Sequence, residues 1–83
     1  MGYQIEIYPE AEEQMAALPA EALPALAEAM VMLELTPWAG DSLNKRNPDA
    51  EVRTLPFGRA GMLHYLILEH QRRVDMITVV WVG

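Results

Sequence analysis

The sequence predicts an α+β domain of order β-α-α-β-β-β, in which a helical hairpin packs on one face of a mainly antiparallel four-stranded sheet. Three observations predict it. The opening "YQIEIY" alternates apolar and polar residues with the period of a strand. Two stretches rich in Ala, Leu and Glu then repeat their apolar residues at helical spacing. Three strand-like runs follow, and their connections are too short for anything but an antiparallel meander. The 83 residues form one domain, residues 1–83, without internal repeat, linker or low-complexity tract.

In "YQIEIY", Tyr3, Ile5 and Ile7 fall on one face and Gln4, Glu6 and Tyr8 on the other. Pro9 ends the strand and suits the first turn of a helix, which three glutamates near its positive end support. Ala11, Met15 and Leu18 keep helical spacing in this short amphipathic segment. The second helix runs through "PAEALPALAEAMVMLELTP", with Leu23, Leu26, Met30 and Leu33 as its apolar positions. Pro24 falls in its first turn, where a missing N–H costs nothing, and Pro37 ends it. "PWAGDSLNKRNPDAE" reads as loop. The strand candidates "EVRTLPF", "MLHYLILEH" and "RVDMITVVWV" come next, separated by "GRAG" and "QRR". The middle one is nearly continuous apolar sequence, as a strand covered on both faces would be. Val74 to Val82 reads as a long apolar edge that dimerisation or strand addition by a partner would cover.

The net charge of −6 is unevenly spread. Residues 1–35 hold seven acids and no Lys or Arg, whereas residues 36–83 hold six bases and five acids. Phosphate-driven affinity therefore has to come from the second half. Cysteine is absent, which removes disulfides and thiolate metal sites and fits a reducing compartment. No run approaches the roughly 18 apolar residues of a membrane span, and "MGYQIEIYPE" lacks the basic and apolar regions of a signal peptide, so a cytoplasmic protein is expected. His64 and His70 lie six residues apart on one expected strand, roughly 20 Å at about 3.3 Å per residue, so they cannot share an ion. No metal site and no cofactor are expected. Met15, Met30, Met32, Met62 and Met76 read as core filler.

The element order and the phrases "YQIEIYPEAEEQMAALP", "LTPWAGDSLN", "VRTLPFG" and "YLILEHQRRVDMITVVWVG" resemble the RelE/ParE superfamily of toxins from type II toxin–antitoxin systems, over residues 3 to 83. The likeness is strongest to short, acidic RelE-like sequences. It implies a small bacterial cytoplasmic toxin with a cognate antitoxin as partner, alone or in a homodimer or hetero-oligomer. RelE-like members are mRNA interferases, endoribonucleases that inhibit translation at the ribosome. ParE-like members poison DNA gyrase. One fold carries both, so the alternatives stay open: a ribosome-dependent nuclease, or a non-catalytic binder that inhibits gyrase or engages only its antitoxin to regulate their operon.

Cleavage of that kind needs cations to stabilise a phosphorane-like charge and a proton donor for the leaving oxygen. Where the family pattern places an Arg three residues before a strand Tyr, this sequence has Met62 before Tyr65, and the family's C-terminal basic and Tyr/His cluster would follow Gly83. A hairpin pairing Phe57 with Met62 sets Arg53 opposite Leu66 and diagonal to His64, on a face shared with Met62, Val79 and Trp81, with Tyr65 facing the helices. Arg53, His64 and Arg59 are then the candidate catalytic residues, and Lys45, Arg46, Arg72 and Arg73 the candidates for RNA or partner binding. The bland reading of each is a solvated or core residue, with Arg72 and Arg73 solubilising a hairpin tip.

Overall fold

The computed structural model describes residues 2–44 and 46–83. Strand β1 (Gln4–Ile7) leads through Tyr8 into α1 (Pro9–Ala16), where Pro9 occupies the first turn and Glu10 and Glu12 face the positive helix end. A 3-10 turn (Ala20–Ala22) feeds α2 (Leu23–Leu35), again with a proline in the first turn, and the chain bends by 118° between the two helices. Pro37 cannot continue the helix and instead opens a second 3-10 turn (Pro37–Ala39). The remaining elements are β2 (Asp41–Ser42), β3 (Val52–Phe57), β4 (Gly61–Leu68), a 3-10 turn (Glu69–Gln71) and β5 (Arg73–Trp81). No single helix among the described residues is long and apolar enough to cross a membrane.

The five strands lie in the order β1-β5-β4-β3-β2. One more strand is present than the sequence predicts, because Asp41 and Ser42 pair with Thr54 and Arg53 inside the expected loop. The meander β3-β4-β5 is antiparallel, whereas β1 pairs parallel to β5, with Ile5 beside Val74. This corrects the expectation of an uncovered edge at Val74 to Val82. Strand β5 is interior over Arg73 to Met76, and only its later part lacks a strand neighbour on the β1 side. There the Val79 N–H donates to Gln14 Oε1 at 2.7 Å, so a side chain of α1 stands in for the missing strand.

The helices cover one face, α1 lying over β5 and α2 over β3. The core between the layers holds Leu26, Leu33, Leu63, Tyr65, Ile67, Val74 and Met76. Burying side chains of this size contributes roughly 1.5–3 kcal/mol each. Met15 and Met30 pack against this core, but Met32 faces solvent and Met62 lies on the opposite face of the sheet.

The β3–β4 register differs by one residue from the sequence expectation. Phe57 pairs with Gly61 across a three-residue turn, and Gly58 supplies the left-handed backbone at φ 61°. Gly61 belongs to the ladder because the Phe57 ring lies over its backbone, 2.5 Å from where a Cβ would stand. An odd turn exchanges the two faces of β3 relative to β4. Arg53 is therefore opposite Tyr65 on the helix side, and His64 is opposite Thr54 on the other.

Candidate partner-binding face of the sheet

No described residue covers the face of the sheet turned away from the helices. Alternation along β4 sends Leu63, Tyr65 and Ile67 into the core and leaves Met62, His64, Leu66 and Leu68 half-buried on the open side. Val52, Thr54 and Pro56 of β3 flank them. On β5 a bulge leaves Ile77 without a ladder partner, between Met76 opposite Tyr65 and Thr78 opposite His64. The bulge is what brings both Asp75 and Thr78 onto the open face, with Val80 beside Met62. Gln4 and Glu6 of β1, with Tyr8 just after it, complete the face.

Two polar groups are built into this apolar surface. In the middle, His64 Nδ1 and Thr78 Oγ1 are 2.8 Å apart, next to Thr54, whose Oγ1 is buried without a hydrogen-bond partner. Nearer β1, Asp75 is only 3% exposed. Its carboxylate accepts from the Tyr8 hydroxyl at 2.9 Å and from Arg73 Nε and Nη2 at 2.8 and 3.3 Å. That hydrogen bond to Asp75 raises the Tyr8 hydroxyl above its ordinary range, and the carboxylate likewise holds the Arg73 guanidinium in its charged form. A buried carboxylate needs such partners, since an unpaired charge there is costly.

The candidate catalytic residues are not brought together. Only His64 lies on the open face, with Met62 beside it. Arg53 lies behind the sheet, 7% exposed. Its guanidinium donates to Gly40 O at 2.6 and 3.0 Å and to Pro48 O and Ala50 O at 3.0 Å each, beneath the Trp38 ring at 5.2 Å. It ties β3 to the loop between β2 and β3. Val79 and Trp81 share the helix side with Arg53, and hence not with His64. Arg59, in the β3–β4 turn, bridges to Glu21 at 2.6 Å and stacks 5.5 Å from the Trp81 ring.

Among the candidates for partner binding, Arg72 stacks on Tyr3 at 4.0 Å and bonds Glu69 at 3.0 Å, in the left-handed position that closes the turn after β4. Arg73 is held by Asp75. Arg46 is exposed, with its backbone N–H bonded to Asn44 Oδ1 at 3.0 Å. Lys45 lies outside the described residues. His70 stands in the 3-10 turn after β4 rather than on a strand with His64.

Sequence reasoning missed Tyr8, Asp75 and Glu69. Glu69 accepts from Tyr3 Oη at 2.6 Å and Trp38 Nε1 at 2.8 Å and so pins the turn after β4 to the residue that precedes β1 and to the 3-10 turn that follows α2. Tyr8 was legible as a residue on the polar face of its strand. Its partner Asp75 was not, because nothing local announces that the first strand lies beside the last.

No family model and no curated protein matches this chain. Among solved structures it is similar to a mutant of the E. coli toxin RelE in the free state, with TM-score 0.77 and 16% identity over 95% of this chain and 82% of that one. It is also similar to the RelBE2 toxin–antitoxin complex from Mycobacterium tuberculosis, with TM-score 0.66 and 17% identity over 99% of this chain and 93% of that one. By its fold, this chain is RelE-like.

Proposed function

We propose that this protein is the toxin component of a bacterial toxin–antitoxin pair, acts in the cytoplasm, and works by binding protein rather than by cutting mRNA. The RelE-like fold supports the toxin role, and its similarity to a toxin–antitoxin complex supports a cognate antitoxin as partner. The carrying observation is the composition of the open sheet face. Its centre is Met62, Leu66, Leu68 and Val80. The only arginine that its strands present on this face, among the described residues, is Arg73, and Asp75 neutralises it. With Glu6 added, the described residues of the face are acidic on balance, which repels phosphate and leaves no unpaired cation among them to stabilise a phosphorane. An antitoxin segment that lays apolar side chains across β3, β4 and β5 would bury this surface.

Ribosome-dependent cleavage is the second reading and rests on His64 and Thr54, whose hydroxyl has no partner. The experiment that separates the two readings pairs the chain with the product of the adjacent reading frame. Isothermal titration should show tight binding, weakened at least about tenfold by Leu66→Lys, which places an unpaired charge in the contact. Primer extension on translated mRNA should show no cut with wild type or with His64→Gln. A cut that depends on His64 would restore the nuclease reading; inhibition of supercoiling on titration into gyrase would identify the gyrase-binding branch.

A further inference from the structure

The outward side of α2 is an apolar strip that no other described residue covers. At 3.6 residues per turn, Leu26, Ala29 and Leu33 point to the sheet and are buried, while Pro24, Ala27, Val31 and Leu35 point the opposite way. Val31 is 52% exposed and Leu35 66%. An apolar helix face is normally enclosed by protein, and of the two on α2 only the one toward the sheet is enclosed by described residues. From Pro24 to Leu35 the strip is about 17 Å long at about 1.5 Å per residue, the length of roughly three turns of a partner helix.

Charge selects the occupant. Glu34 borders the strip on one flank and Glu28 on the other, both exposed, and residues 1–35 contain no Lys or Arg. The last turn of α2 also lacks a basic residue, so Glu34 adds to the negative end of the helix dipole instead of offsetting it. Ahead of the helix the charge is already met, because Arg59 engages Glu21 in the preceding 3-10 turn. A second copy laid along the strip, parallel or antiparallel, would set acid flank against acid flank. An anionic membrane surface would be repelled for the same reason.

We propose that the outward face of α2 docks an amphipathic helix of another protein, apolar along one stripe and carrying Lys or Arg on both sides of it. This face is on the reverse of the molecule from the open side of the sheet, and it does not depend on the toxin reading.

The test uses two synthetic 18-residue helical peptides that share a leucine stripe, one flanked by Lys and one by Glu, titrated into the isotope-labelled full chain. The Lys-flanked peptide should bind about tenfold more tightly, with amide shifts centred on Ala27, Val31 and Leu35. The double variant Glu28→Lys, Glu34→Lys should reverse the preference. Val31→Asp should weaken the Lys-flanked peptide about tenfold while far-UV dichroism and thermal unfolding stay unchanged. Equal affinity for both peptides overturns the proposal. So do shifts centred on Met62 and Leu66, or a free chain that already self-associates through Val31 and Leu35.

Discussion

Arg53 and Tyr65 stand opposite each other on the β3–β4 ladder, and both hold the same stretch of backbone. The guanidinium takes the Gly40 carbonyl and the phenol takes the Pro37 carbonyl, at 2.6 Å in each case. The pair fastens the segment that leaves α2 to the centre of the sheet, so an arginine that reads as chemistry in the sequence acts as a structural clamp.

Arg53→Met keeps the side-chain stem but leaves the carbonyls of Gly40, Pro48 and Ala50 without their donor. Stability should fall by about 3 kcal/mol, the loss expected when several charge-assisted bonds go and water replaces them in part. Urea denaturation measures it. Arg53→Lys should recover less than half, because an ammonium cannot reproduce the planar fork. A loss under about 0.5 kcal/mol would remove the structural role argued for Arg53.

The close approach at Gly40 predicts a coupling. A Cβ there would collide with the Tyr65 hydroxyl and stand 2.8 Å from the Thr54 carbonyl. Gly40→Ala should cost about 2 kcal/mol or more, and Tyr65→Phe about 1 kcal/mol for its buried hydrogen bond. The double variant should lose less than the sum, since removing the hydroxyl makes room for the methyl group. Strict additivity in denaturation midpoints would show that the hydroxyl is not the obstacle.

Gln14 tests the substitute for a strand. Gln14→Leu leaves the Val79 N–H unpaired beside a groove lined by Leu18, Pro19 and Trp81. The expected cost is about 1 kcal/mol, with hydrogen-exchange protection lost at Val79 and retained at Val74 and Met76. Unchanged protection at Val79 would mean that Gln14 does not hold the edge.

Glu69 makes stability depend on acid pH. The Tyr3 hydroxyl, then the Trp38 indole N–H and Arg72, hold its carboxyl below the ordinary 4.5. A depressed carboxylate contributes stability that is present above the unfolded value and is lost as pH falls through the lower folded one. Wild type should therefore lose thermal stability between about pH 5 and pH 3. Glu69→Gln should start lower at pH 6 and fall less over that interval; parallel curves for the two proteins would overturn this assignment.

Most of the fold was legible where the pattern is local. Proline placement and apolar spacing locate both helices, alternation locates β1, and strand-like runs between turn residues locate β3 and β4 to within a residue or two, although β4 is covered on one face and not on both as its apolar run suggests. Two features were not local. The β3–β4 register depends on whether Gly61 belongs to the turn or to the ladder, which the Phe57 ring decides in three dimensions. That single residue moves Arg53 from the expected site to the far side of the sheet. The parallel pairing of β1 with β5 leaves no signal in either strand, and with it went the Tyr8–Asp75–Arg73 group. Of the candidate site, only the presence of His64 beside Met62 was readable, because two residues on one strand share a face in any register.

The β1–β5 pairing also bears on how the molecule comes into being. A ribosome issues Gln4 to Ile7 well before their partners, Arg73 to Met76. Until then the opening strand has no neighbour, Tyr8 has no carboxylate, and the groups of α1 that rest on β5 have nothing to rest on. Closing so long a loop is slow relative to local hairpins. A chain that has emerged only as far as α2 is a helical hairpin without a floor, and a fragment that stops before β5 cannot form this sheet.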